Sequence, residues 1–418
     1  MLSYAPGRAI PETELREKLL EFFAQTSLSR GRVLVIIPDD TRTLPMPLLY
    51  DVLVTELLPK VKELSFLVAL GTHPPMSEAQ LSRHLGPHFP HPKVKVFQHA
   101  WQDPRNLTEL GVLTKERLAE ISQGLLPVEV RVEINRLVLE YDQLLIVNPV
   151  FPHEVVGFSG GHKYFFPGIS GPDMVNVSHW LGALITNPKV NGHKWTPVRR
   201  MIEEAAKFVP TPRLGLSLVL QGHDVVGVFL GEVTEAWEAA ADLSAKVNIV
   251  WAPRSYEFVL SLAPSMYREL WLAGKCMYKL EPVVADGGTL LIYAPHIREI
   301  SPTHGKLLLE IGYHVRDYFL AQWEKFRRYP WAVLAHSTHV KGIGTFKGGV
   351  ERPRIEVILA TGIPEEVCRR INLGFRDPKT INPADFQGRE AEGILVVPNA
   401  GEQLWRLADG TVPDIDKL

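Results

Sequence analysis

Short, unbroken apolar runs recur along this chain, each followed by a polar turn and then a helical pattern. That alternation narrows the fold more than any other feature. Val33-Leu34-Val35-Ile36-Ile37 ends at Pro38-Asp39-Asp40, and Leu64 to Leu70 ends at Gly71-Thr72-His73-Pro74-Pro75. A run with no polar face has nothing to offer water, so it belongs to a strand covered on both sides, as in a parallel sheet with helices above and below. Val94-Lys95-Val96-Phe97 and Gln143-Leu144-Leu145-Ile146-Val147 repeat the signal. Glu14 to Phe23 reads as an amphipathic helix beginning near Pro11, and Leu48 to Leu58 as another. Ser77 with Gln80 three residues on forms a capping box that opens a third. The first half is therefore expected to be an α/β unit with a mostly parallel sheet.

A second series follows Val247-Asn248-Ile249-Val250-Trp251, with Ala252-Pro253-Arg254-Ser255 as a linker. Strands are expected at Phe258 to Leu262, Thr289 to Tyr293, Ala332 to Leu334, Ile355 to Leu359 and Ile394 to Pro398, with a helix from Tyr267 to Leu280. At 418 residues the chain is long for one core. The expectation is two α/β domains with mostly parallel sheets, residues 1–252 and a smaller 253–418, with an active-site cleft between them. Ligands of such sheets sit beyond the carboxyl ends of the strands.

Composition removes several functional classes. A net charge of -2 gives no electrostatic reason to expect nucleic acid or an anionic membrane as partner. Two cysteines, Cys276 and Cys368, are too few for a disulfide framework or a Cys-rich zinc site, which fits a reducing cytosol. The first residues lack a basic-then-apolar signal, and no apolar run approaches the ~18 residues of a membrane span.

Polar residues with chemistry cluster just after the expected strands. Arg42 in Asp39-Asp40-Thr41-Arg42 is able to grip a carboxylate or phosphate with two prongs, oriented by Asp39; an Asx-turn with a surface arginine explains the same residues. His73, held by two prolines on a stiff backbone, suits a general base, and a solvent-exposed loop histidine is the plainer alternative. The richest segment runs from Pro152-His153 through Ser159-Gly160-Gly161-His162-Lys163 to Pro167-Gly168 and Ser178-His179. It offers proton transfer, metal ligation and a covalent anchor together. His162 and His193 rank lower, and His162 is expected to face outward. Lys163 is not a P-loop lysine, because Tyr164 stands where Ser or Thr is required. Lys275, inside the expected helix, reads on its own as a snorkelling surface lysine.

Taken in order, these motifs resemble the lactate racemase family, which uses a nickel-pincer nucleotide (nickel pyridinium-3,5-bisthiocarboxylic acid mononucleotide). The resemblance runs through almost the whole chain, and its most specific part is Pro-His-x5-Ser-Gly-Gly-x-Lys-x3-Pro-Gly with a His 16 residues after the Lys. It implies that Lys163 holds the cofactor covalently, that His179 ligates nickel, and that His73 and His153 are the two acid/base groups. Asp39, Arg42, Thr72 and Lys275 would hold cofactor, with Arg42 and Lys275 also on the substrate. The N-terminal domain would then bind cofactor and the C-terminal one contact substrate. The implied reaction removes a hydride and a hydroxyl proton from a 2-hydroxy acid, forms a planar 2-keto acid, and returns the hydride to the other face. The partners implied are that small acid and the enzymes that make the cofactor.

Four positions depart from the family pattern. Pro74 stands for an Arg, His162 for a small or basic residue, and Trp271 and Leu272 for a Tyr-Gln pair beside the C-terminal lysine. Trp271 and Leu272, with His296, Arg298 and His304, would favour a longer or more polar acid than lactate, leaving malate, hydroxyglutarate and sugar acids open. Two other classes compete. One is a metal-dependent hydrolase gathering His73, His153, His162 and His179 on one metal; the other is a non-catalytic nucleotide- or acid-binding protein.

Overall fold

The computed structural model describes residues 8–25 and 31–417. Residues 1–7, the lead-in to the first helix, lie outside the described residues. Packing divides the chain into two compact units: Met1–Phe151, Phe158–Val175 and Arg199–Val247 form the first, and Pro152–Gly157, Asn176–Val198 and Asn248–Leu418 the second.

The first unit is built on a six-stranded sheet. Its strands are β1 (Arg32–Ile37), β2 (Glu63–Val68), β3 (Val94–Gln98), β4 (Gln143–Pro149), β5 (Arg213–Gln221) and β6 (Asp224–Gly231), in spatial order β6-β5-β4-β1-β2-β3. All neighbours are parallel except the β5–β6 hairpin. Val33 to Ile37 are fully buried, as a run without a polar face requires. Leu15, Leu19 and Phe23, four residues apart on the helix Glu12–Gln25, bury one stripe in the same core. The Ser77–Gln80 capping box is present at the start of Glu78–Leu85.

The second unit carries a five-stranded, wholly parallel sheet of β7 (Tyr256–Leu262), β8 (Val284–Ala294), β9 (Glu356–Thr361), β10 (Gly374–Phe375) and β11 (Ile394–Val397), in order β10-β9-β8-β7-β11. Mixed α/β architecture with mostly parallel sheets is thus the fold of both units.

Two expectations of local structure are corrected. Ala332 to Leu334 is not a strand but the first turn of the helix Trp331–Lys341, which Pro330 precedes. Nine consecutive residues, Ala332 to Val340, are buried there, so the apolar run reflects a helix covered all round. The helix expected from Tyr267 to Leu280 is two single turns, Leu270–Ala273 and Lys275–Tyr278, meeting at Gly274. Among the described residues no helix is long and apolar enough to cross a membrane.

Candidate active site

In the first unit, adjacent parallel strands end beside one another, so the turns after β1 and β2 share an edge. Asp39, 4% exposed, follows β1, and its Oδ2 lies 2.5 Å from Nδ1 of His73, which follows β2. Asp39 Oδ1 accepts from the Thr41 hydroxyl at 2.7 Å and the Thr41 amide at 3.3 Å. Burial alone would raise the Asp39 carboxyl. The charge and hydrogen bond of His73, the charge of Arg42 and the Thr41 hydroxyl outweigh it and hold the group well below the usual carboxylate range. An ionised carboxylate on Nδ1 fixes that nitrogen as the donor and leaves the lone pair on Nε2. Gln80 Nε2 donates to Asp40 Oδ2 at 3.2 Å, tying the capped helix to the same loop.

The Gly71-Thr72-His73 turn is joined to the lysine segment by backbone, since Gly71 N–H donates to Gly168 O at 2.9 Å. Lys163, half-buried, sits in a single helical turn, Gly161–Tyr164. Gly160 and Gly161 precede it at φ +86° and +60°, and a Cβ at these positions would meet Asn148 Oδ1 at 2.3 Å and Trp237 at 2.9 Å. Only glycine fits this turn. Tyr164, buried beside Arg42 and Asp39, has its hydroxyl pushed up by burial. One edge of the first unit therefore gathers Asp39, Arg42, Thr72, His73, Lys163 and Tyr164.

His162 does not face outward. It is 4% exposed, its Nδ1 lies 2.6 Å from Glu203 Oε2, and its Nε2 accepts from Arg213 Nε at 3.0 Å. Both ring nitrogens are engaged. Arg199, with none of its surface exposed, lies over Trp237 at 3.9 Å and donates to Gly160 O at 3.1 Å and to Phe158 O. These contacts clamp the turn from behind, and neither Glu203 nor Arg199 was legible as part of it, being some forty residues away in sequence.

The second unit holds His153, His179, His296 and His304. Nδ1 of His153 accepts from the Val155 amide at 3.1 Å, which puts the proton of the neutral ring on Nε2. Glu154 Oε2 lies 3.3 Å from the same nitrogen. Burial raises the Glu154 carboxyl, yet His339, its own backbone amide, Lys279 and Lys275 together hold it low. Lys279, 3% exposed, donates to Pro152 O and to Glu402 O (3.2 Å), anchoring the segment that carries His153. His179 lies on the helix Pro172–Ile185, with Ser178 Oγ 3.3 Å from its Nδ1. Gly182, one turn on, lets that helix approach Val155; a Cβ there would meet Val155 O at 2.9 Å.

Lys275 Nζ sits 4.8 Å from the Tyr267 ring centroid. Trp271 stacks on His336 (centroids 3.7 Å, 19°) and lies 4.3 Å from the His304 ring, while the neighbouring Leu272 is half-buried. His296 is exposed and bonds to Tyr267 O at 3.0 Å, and Arg298 is exposed. The sequence reading missed His336 and His339, because it took the start of their helix for a strand. His336 is pushed well below the usual histidine range by burial and by His339, His304 and His179, and His339 to about 4 by burial. Both are neutral imidazoles near pH 7. Among the described residues, no three His, Cys, Asp or Glu side chains converge as a metal site.

Residues 16–191 match the Lactate racemase N-terminal domain family. Lactate racemase of Thermoanaerobacterium thermosaccharolyticum is 24% identical over 70% of this chain and 65% of its own length. Lactate racemase of Lactiplantibacillus plantarum is 23% identical over 64% of this chain and 61% of its own. The matched region thus spans less than two thirds of either relative. The crystal structure of a Thermotoga maritima protein superposes with a TM-score of 0.89 at 32% identity, covering 97% of this chain and all of that one. The lactate racemase apoprotein of T. thermosaccharolyticum shares the fold, with a TM-score of 0.73 at 18% identity over 95% of this chain and 93% of its own. On these matches, residues 16–191 carry the Lactate racemase N-terminal domain, and the chain as a whole has the fold of a lactate racemase apoprotein.

Proposed function

We propose that this protein inverts the C2 centre of a 2-hydroxy acid, with His73 and His153 as its two acid/base groups and a nickel-pincer nucleotide carried on Lys163. The donor chemistry supports the reading. A lysine amine is presented on a glycine turn that admits no side chain, and the His179 imidazole is oriented through Nδ1 by a serine hydroxyl. Lys163 would hold the group covalently, His179 would ligate its metal, and Arg42, Thr72 and Asp39 would line its place. When bound, the cofactor supplies a hydride acceptor, so inversion avoids building a carbanion beside a carboxylate.

The chain's own residues then move the proton and hold the acid. Arg42 and Lys275 would bind the substrate carboxylate. His73, with its lone pair on Nε2, takes the hydroxyl proton of one enantiomer and becomes imidazolium, while a doubly protonated His153 gives a proton to the oxygen of the 2-keto acid as the other enantiomer forms, and is left neutral. One ring starts neutral and the other as imidazolium, and a turnover exchanges these states, which sets up the reverse reaction. The observation that carries this reading is the 2.5 Å pairing of a buried, ionised Asp39 with His73. A pure binding protein gains nothing from a base poised in that way. A hydrolase with four histidines on one metal fares worse, since His162 has both nitrogens committed to Glu203 and Arg213.

The setting proposed is a reducing cytoplasm, with a 2-hydroxy acid and the cofactor-making enzymes as partners. Cys276 and Cys368 are buried thiols, pushed up to about 12 and about 11 by burial, and stay inert there. Intact-protein and peptide mass spectrometry on protein made in a host that synthesises the cofactor tests the assignment. An adduct on the Lys163 peptide with one nickel per chain is expected; full activity with Lys163 unmodified would overturn it.

A further inference from the structure

His73 has Asp39 as its carboxylate partner, and His153 has a carboxylate of its own that no step above employs. Glu154 Oε2 lies 3.3 Å from Nδ1 of His153, with 18% of the glutamate side chain and 12% of the histidine side chain exposed. The same nitrogen accepts from the Val155 amide at 3.1 Å. In that neutral form a ring lone pair and a carboxylate oxygen face each other, and two acceptors repel. A proton on Nδ1, with a slight turn of the ring away from the amide, makes the contact a charge-assisted hydrogen bond.

The surroundings of Glu154 favour its charge. His339, on the helix Trp331–Lys341, and Lys279 and Lys275 lie within electrostatic reach of it. His339 is neutral near pH 7, so the Glu154 backbone amide and the two lysines remain to hold the carboxylate against burial. Lys279 also donates to Pro152 O, which fixes the backbone just before His153. The helix Pro172–Ile185 approaches Val155 at Gly182, one turn beyond its own titratable residue, His179. His153, Glu154, Lys275, Lys279 and His339 all belong to the second unit.

The proton transfer needs such a partner. Nδ1 of His153 is turned to its own segment, which leaves Nε2 for the substrate oxygen. A base acting through Nε2 needs its lone pair there and therefore its proton on Nδ1. The tautomer bound to the Val155 amide has the proton on the other nitrogen. We propose that Glu154 is the positioning residue of His153, drawing a proton onto Nδ1 and holding it there while Nε2 exchanges its proton with substrate; the proposal rests on the racemase reading. One proton enters from solvent and stays on Nδ1, shared with Glu154. The other leaves Nε2 for the keto oxygen, and in the reverse direction returns to Nε2 from the hydroxyl. The Val155 amide holds the resting ring and Glu154 the working one.

Nitrogen NMR on protein labelled in its histidine rings tests the pair without cofactor, the His153 signals being those lost in His153→Gln. Glu154→Gln keeps the size and removes the charge, so it should lower the His153 titration midpoint by about 1 pH unit. Glu154→Asp should restore most of that shift, and circular dichroism should be unchanged in both. An unmoved midpoint in folded Glu154→Gln protein overturns the proposal. Should that variant fail to fold, the unaltered protein decides: a midpoint above the ordinary ~6.5 supports the pair, and one at or below it overturns it. In cofactor-loaded Glu154→Gln protein, one limb of the pH profile of kcat/KM for each enantiomer should move down by about as much. A shifted midpoint in loaded protein that inverts no 2-hydroxy acid leaves the pair standing and removes the racemase reading. Inversion with every limb unmoved does the reverse.

Discussion

At the scale of single residues, proton transfer in the first unit depends on Asp39 as much as on His73. Asp39→Asn replaces an acceptor by a group that is able to donate, which favours the wrong tautomer of His73 and removes its lone pair from Nε2. Steady-state kinetics should show roughly a 10³-fold loss in kcat with KM little changed; a loss under about threefold would mean that the pair is structural. Asp39 and His73 stand out in sequence because each follows an apolar run. Their bond does not, because it exists only once β1 and β2 lie side by side, and 34 residues separate the two. His162 shows the opposite limit. Its neighbour Lys163 made it look like a site residue on an outer turn, yet Glu203 and Arg213, from a distant helix and strand, draw it inward.

At the scale of elements, the lysine turn is held by shape. Gly161 lies at φ +60° with Trp237 where a side chain would go. Gly161→Ala should cost about 3 kcal/mol, combining a strained backbone with overpacking against the indole. Chemical denaturation would measure it, and a loss below about 1 kcal/mol would mean that Trp237 moves aside freely. The strands that carry the first half were legible because short, mostly apolar runs, the first two cut off by Pro and Gly, have few other uses. The helix Trp331–Lys341 was not. Its Ala332-Val333-Leu334 start is equally apolar, and only the burial of all sides around His336 and His339 explains why a helix lacks a polar stripe.

At the scale of the whole molecule, buried neutral histidines set the acid limit of stability. His99 is pushed down to about 4 by burial, donates Nε2–H to Ser170 O and accepts from Asn135 Nδ2. His84, bonded to Pro38 O, is lowered by burial as well. Unfolded chain takes up protons on these rings below about pH 6.5 while the native state does not, so stability falls as pH drops from 6.5 towards 4, by about 3 kcal/mol for His99 alone. Glu269, raised to about 7 by burial, works in the opposite sense from pH 7 to 4.5 and cancels about as much as His99 contributes, so the net decline is carried by His84, His336 and His339, all lowered by burial. Denaturation midpoints measured from pH 7.5 to 4.5 should therefore decline, and His99→Gln should flatten the decline; an unchanged slope would contradict the assignment. The α/β architecture was readable from the alternation of runs. The interleaving of Pro152–Gly157 and Asn176–Val198 with the later part of the chain was not, since nothing in their composition sets them apart from their neighbours. The account as a whole stands on inversion without loss of the C2 hydrogen. Substrate carrying deuterium at C2, turned over by cofactor-loaded protein in ordinary water, should give the opposite enantiomer with the label still on C2. Label washed into solvent at the rate of inversion would contradict the account.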